Sequence, residues 1–176
     1  MAKLRVLKSI TFRYDGKQDR ILAAANAGQA EAWSCWLTRR VALALLERST
    51  EFLEKSSDLA KRASADVRSD LVNFERDAAI ANTAGAMSNT PQNVLKDSAA
   101  NAELLQQLSF TQRGNRFRLE LRGERGGGAD GSLTRDEFQR VLQMLQTEVV
   151  KGNWIGAPTA AVAAPTPDAA HKPFRH

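Results

Sequence analysis

Between Trp33 and Leu53 the chain reads WSCWLTRRVALALLERSTEFL, its most apolar continuous run, and this stretch limits what the remainder can do. Trp33, Leu37, Val41, Ala44, Leu45 and Phe52 follow the i, i+3/i+4 spacing of one helical face, while Trp36, Leu43, Leu46 and Leu53 supply a second apolar stripe. A helix apolar on two sides must be covered on two sides. The spacing therefore predicts a central helix beginning near Gln29 or Glu31, with a sheet on one side and a second helix or a second copy of the protein on the other.

Upstream, Leu4, Val6, Ile10 and Phe12 alternate with polar neighbours, and Tyr14-Asp15-Gly16-Lys17 offers the Asp-Gly pair of a tight type I′ hairpin turn. Arg20 to Ala25 reads as the returning strand, ended by Asn26-Ala27-Gly28. Downstream, the helical pattern weakens at Ser56-Ser57 and resumes through Leu59, Val67, Leu71, Phe74 and Ala78. A continuous helix from Glu31 to Ala78 would be about 70 Å long at ~1.5 Å per residue, far beyond what a small domain covers, and would project toward a partner. A break near Ser56-Ser57-Asp58, where a side-chain oxygen can cap a new helix, folds the halves back as a hairpin, and this is the preferred reading.

Asn82 to Asn93 reads as a loop and Asn93 to Leu105 as a short helix. Leu108 and Phe110, a turn at Arg113-Gly114-Asn115-Arg116, and the alternation of Phe117, Leu119 and Leu121 with charged neighbours give a second hairpin. Gly126 to Gly131 reads as a flexible connector, after which Thr134 and Glu137 match a capping box. Phe138, Val141, Leu142, Leu145 and Val149 then form one helical face, Gly152 stops the helix and Trp154 folds back on it.

The two hairpins also align with each other. Ile10, Phe12, Gly16, Arg20, Ile21 and Ala23 match Leu108, Phe110, Gly114, Arg118, Leu119 and Leu121 at constant offset, and Leu37-Thr38-Arg39 matches Leu133-Thr134-Arg135 near the helix starts. The expected fold is α+β: two β-hairpin-plus-helix (ββα) units forming a four-stranded antiparallel sheet with helices on one face. A long helical insertion, a coiled coil or helical hairpin at about 54–104, interrupts a single domain over 1–155, and the Pro/Ala-rich residues 156–176 read as a disordered tail.

Residue usage excludes much chemistry. The only histidines, His171 and His176, lie in the tail, which removes the usual general base and most metal sites. Carboxylates such as Glu47, Glu51, Glu54, Asp66, Asp70, Glu75 and Asp77 alternate with Arg and Lys at helical spacing, the pattern of a solvated, salt-bridged face. Gly126 to Gly128 precedes a helix, yet it lacks the lysine and framing of a phosphate loop. Asp130 to Phe138 resembles the second half of an EF-hand calcium loop, but the first and third ligand positions would fall on Gly126 and Gly128, and a strand precedes it, so calcium is rejected. Cys35, flanked by Trp33 and Trp36, reads as packing. No cofactor and no metal are expected, and the chain reads as non-enzymatic.

Two binding readings remain. Trp33, Trp36, Leu45, Phe52, Leu59, Leu71 and Phe74 suit a homodimer interface along the long helix, and self-association is the first expectation. With a net charge of +5 and a sequence pI near 9.7, nucleic acid is the alternative partner, met by Arg13, Lys17, Arg20, Arg113, Arg116, Arg118 and Arg122 on the polar side of the hairpins. The aromatics that would stack on bases are missing from that side, since Phe12, Phe110 and Phe117 point inward and only Tyr14, at a turn, is available. No run reaches the ~18 apolar residues of a membrane span and no signal peptide is apparent, so a cytoplasmic protein without membrane contact is expected.

Overall fold

The computed structural model describes residues 4–56, 63, 64, 67, 70, 71, 74, 75, 77, 78, 81 and 90–155; Leu59 and the tail 156–176 lie outside the described residues. Seven strands form one mixed sheet in the order β1-β7-β6-β5-β4-β3-β2. They are β1 (Arg5–Val6), β2 (Ile10–Asp15), β3 (Arg20–Ala25), β4 (Trp33–Thr38), β5 (Glu103–Arg113), β6 (Arg116–Gly123) and β7 (Gly128–Thr134). The helices α1 (Arg39–Ser56), α2 (Gln92–Asn101) and α3 (Arg135–Lys151) pack on it.

This corrects the expected four-stranded antiparallel sheet. Each hairpin carries a third strand, so the chain holds two antiparallel meanders, β2-β3-β4 and β5-β6-β7, each followed by a helix. The meanders join side by side through a short parallel contact, Cys35↔Glu103 and Trp36↔Leu104. Nor do the helices share one face. α1 and α3 cover one side, whereas α2 lies on the other, where Leu95 lines a small cavity with Leu22 and Trp36 and the Ser34 hydroxyl donates to Ser98 O. Among the described residues no long helical insertion is present, and the longest helix is α1, with 18 residues.

The helix expected from Glu31 fails for a physical reason. Trp33, Cys35 and Leu37 point to one side of β4 and Ser34 and Trp36 to the other, and both sides are buried because a helix covers each. A strand buried on both faces loses its alternation and reads as a continuous apolar run, which periodicity alone cannot separate from a buried helix. The β-rich pair of tryptophans was the available signal. The connector at Gly126 to Gly131 is instead the β6–β7 turn and the first half of β7. Its glycines answer a close approach: a Cβ on Gly131 would sit 2.8 Å from Leu7 Cβ. The first hairpin exists, but Asp15 builds its turn, accepting from Lys17 N and Gln18 N with Asp19 at φ 50, so a type I′ Asp-Gly turn is not used.

The N-terminal segment ties the two ends of the sheet together. β1 pairs in parallel with β7, and only Leu7 to Ser9 separate it from β2, which pairs with β3 at the opposite edge. α3 packs against β2 as well as β6 and β7, so the sheet curls around this helix. Asn26 pins the crossing. Its buried side chain accepts from Lys8 N (2.8 Å) and Ser9 N (3.1 Å) and donates to Val6 O (2.7 Å) and Glu31 O (3.2 Å). Asparagine tolerates the φ of 50 found here better than most residues.

Inside the curl, α1 contributes Ala42, Leu45 and Leu53, and α3 contributes Phe138, Val141, Leu142, Leu145 and Val149, each set at helical spacing. Phe117 and Phe138 stack at 5.2 Å, with Phe52 and Phe110 against them. α3 begins with the expected capping box, Thr134 with Glu137, and ends at Gly152, with Trp154 N bonded back to Val149 O.

Removing the Asn26 side chain orphans two main-chain N–H groups and two carbonyls at the crossing. Asn26→Ala should therefore cost about 2–4 kcal/mol in urea denaturation, taking each bond at ~0.5–1.5 kcal/mol. A loss below about 0.5 kcal/mol would show that the crossing does not rely on this side chain.

Candidate functional site

The residues expected at a dimer interface are dispersed. Trp33 and Leu45 are buried in the core between the sheet and α1, and Trp36 is buried on the opposite face. Phe52 meets Phe110 at 5.0 Å and Phe117 at 5.7 Å. Of the remaining three, Leu59 lies outside the described residues, and Leu71 and Phe74 belong to the helical residues described at 67, 70, 71, 74, 75, 77, 78 and 81, where Leu71 is half-buried and Phe74 is 70% exposed. Val67, Leu71, Phe74 and Ala78 recur at helical spacing, and Val67 is 41% exposed. Arg135 anchors these residues to the domain: its guanidinium donates to Glu75 Oε2 (2.7 Å), to Leu53 O (3.0 Å) at the end of α1 and to the Ser56 hydroxyl.

The expected arginine surface divides in two. Arg116, Arg118 and Arg122 form a row on the outer face of β6, with Arg113 opposite Arg116 on β5. Arg118 pairs with Asp130 (2.8 Å) and Arg122 with Glu120 (2.6 Å), which neutralises part of the row. Arg116 holds Ser132 of β7. Arg13 and Arg20 lie on the other meander, where Arg13 donates to Gln92 of α2, and Lys17 lies in the β2–β3 turn. α2 stands between the two groups, because it covers β3 and β4.

Sequence reasoning missed two further places. At the joint between the meanders the buried Glu103 carboxylate accepts from Trp33 Nε1 (2.6 Å) and from Arg125 N (2.6 Å). The β6–β7 turn wraps this carboxylate so closely that a Cβ on Gly123 or Gly127 would collide with it. Cys35 lies nearby, and burial first, then the Glu103 charge, push its thiol far above the ordinary range, which makes it an inert core residue. The second place is a groove of about 830 Å³ between β2 and α3, lined by Ile10, Phe12, Val141 and Met144 and rimmed by Lys8 and Lys151. Only the joint effect of the curled sheet and α3 creates it, so no local motif marks it.

Beside the groove, Tyr14 and Trp154 meet edge to face at 5.7 Å, and both donate to Asp19 Oδ1, the indole at 2.7 Å and the hydroxyl at 3.0 Å. The Trp154 bond first and the Tyr14 bond second hold the Asp19 carboxyl below its ordinary range. The same hydrogen bond raises Tyr14.

Among the described residues no three His, Cys, Asp or Glu side chains come together as a metal site, and no helix is long and apolar enough to cross a membrane. No known protein family, curated protein or solved structure matches the chain.

Because its folded carboxyl is depressed, Asp19 contributes stability that is present above its unfolded value of about 4 and lost as pH falls through the lower folded value. Asp19→Asn should flatten the acid limb of Tm against pH and abolish an acid transition in Trp154 fluorescence. An unchanged acid limb would contradict this account of the cluster.

Proposed function

We propose that this protein is a non-enzymatic interaction protein that self-associates through the apolar side chains of Val67, Leu71 and Phe74. The observation that carries the reading is Phe74, a large aromatic side chain 70% exposed and in helical register with Val67 and Leu71. Exposed aromatic and aliphatic side chains in one helical stripe are the usual anchors of helix-mediated pairing, since truncation of such residues dominates interface energetics. Arg135, bonded to Glu75, fixes the stripe against the domain, so two copies would meet through a positioned surface. The original helix from Glu31 plays no part in this reading, because Trp33–Thr38 is a strand.

Light scattering on size exclusion should give a dimeric mass for the full chain, independent of salt. The pair Val67→Asp with Phe74→Asp should give a monomer with unchanged circular dichroism. A wild-type monomer at tens of micromolar, on the order of the weakest specific interfaces, would overturn the reading.

Nucleic acid is the second reading, favoured by the row Arg116, Arg118 and Arg122 on one open strand face. Glu120 and Asp130 in the same face limit the phosphates it can neutralise to about two or three, so affinity for single strands should fall with a log–log salt slope of roughly −2. Replacing all three arginines with Glu should abolish binding, and a salt-independent affinity would exclude this reading.

A further inference from the structure

β2 forms one edge of the sheet, and its hydrogen-bond parity decides which groups lie open. Asn26 N donates to Ser9 O, which makes residues 9 and 26 a hydrogen-bonded pair of the antiparallel β2/β3 ladder. Bonded and non-bonded pairs alternate, so Thr11, Arg13 and Asp15 turn their N–H and C=O groups to β3, whereas Ile10, Phe12 and Tyr14 turn theirs away. Tyr14 N fits the same alternation: it donates outward, to Glu148 Oε2 of α3 at 2.8 Å. The N–H and C=O groups of Ile10 and Phe12 have no partner among the described residues, and they face the 830 Å³ groove.

This edge is recessed. On its outer side stand Thr90, Pro91 and Gln92, held by the contact of the Thr11 and Thr90 hydroxyls at 3.0 Å and by the bond from Arg13 to Gln92. On its inner side lie Val141, Met144 and Glu148 of α3. Walls on both sides keep a second sheet from reaching the open backbone groups, which is how an edge avoids sheet-to-sheet pairing, while a single extended chain still fits. The groove volume falls within the usual ~300–1,000 Å³ of ligand clefts.

Charge selects among extended chains. The two carboxylates of the groove are engaged: Glu137 in the capping box of α3, and Glu148 by Tyr14 N and Lys151. Lys8, Arg140 and Lys151 also line it, Lys151 as the partner of Glu148, so the three cations exceed the two carboxylates by one formal charge. Such a rim favours acidic side chains and disfavours basic ones, the chain's own basic terminus HKPFRH among them.

We infer that the groove between β2 and α3 binds an extended, acidic segment of a partner protein by strand addition to Ile10–Phe12. Apolar side chains of the segment would lie against Val141 and Met144, with acidic ones at the rim near Lys8 and Lys151. This surface is separate from the stripe of Val67 and Phe74, so one molecule carries both interactions.

The test uses the full chain and a fluorescein-labelled octapeptide of alternating Val and Glu, with the Val/Lys counterpart and a fully N-methylated Val/Glu peptide as comparisons. Fluorescence anisotropy should show binding of the Val/Glu peptide, at least about tenfold weaker for either comparison peptide and for Met144→Glu, as loss of one or two hydrogen bonds or charge contacts requires. Amide exchange read by nuclear magnetic resonance should slow at Ile10 and Phe12 by at least about tenfold on binding, with Thr11 and Arg13 changing little. Equal binding of the N-methylated peptide, no binding at about 1 mM, or binding lost in Arg118→Glu and retained in Met144→Glu would each overturn the proposal.

Discussion

The crossing of Leu7 to Ser9 from one end of the sheet to the other, pinned by Asn26, is the constraint on which the remaining structure depends. Two three-stranded meanders with a two-residue parallel joint would be weakly coupled by their backbones alone. The crossing makes them one curled sheet, because the same short segment supplies a partner for β7 and another for β3. A buried amide suits this task. It has two acceptor sites and two donors, and all of them meet main-chain groups that would otherwise be unpaired in a dry place.

A second polar stitch acts at the opposite seam. Glu103, next to Cys35 in the parallel register, reaches Trp33 of the first meander and the β6–β7 turn of the second. The glycines of that turn are therefore determined by a carboxylate far away in sequence. With both seams closed, α3 is enclosed on its apolar side and leaves its outer flank beside the free edge of β2. The groove is thus a consequence of closure: the crossing stops β2 from pairing with β7, and α3 and Pro91 wall the gap.

How much of this was legible depended on range. The hairpins, the half-exposed alternation of Phe117, Leu119 and Leu121, the Thr134–Glu137 cap and the Trp154 return are local patterns, and each appears where its residues place it. Trp33–Thr38 misled because burial on both faces erased its alternation, and Gly128–Thr134 misled because its glycines serve close contacts with Leu4 and Leu7 that only the folded chain reveals. Thr38 and Thr134 close β4 and β7, and Arg39 and Arg135 open α1 and α3. The candidate interface set was dispersed for the same reason, as Trp33 and Trp36 alternate across a sheet and do not share a helical face. The groove and the Asn26 and Glu103 stitches join residues far apart in sequence and had no local signature.

Native-state hydrogen exchange at Lys8 and Ser9, the two amides held by Asn26, addresses the closure most directly. If the crossing is integral to the fold, both amides open with the free energy and denaturant dependence of global unfolding, like those of β3 and β6. Exchange through a low-energy, denaturant-independent opening would mean that the N-terminal segment detaches while the two meanders stay folded, and the closed-sheet account would be wrong.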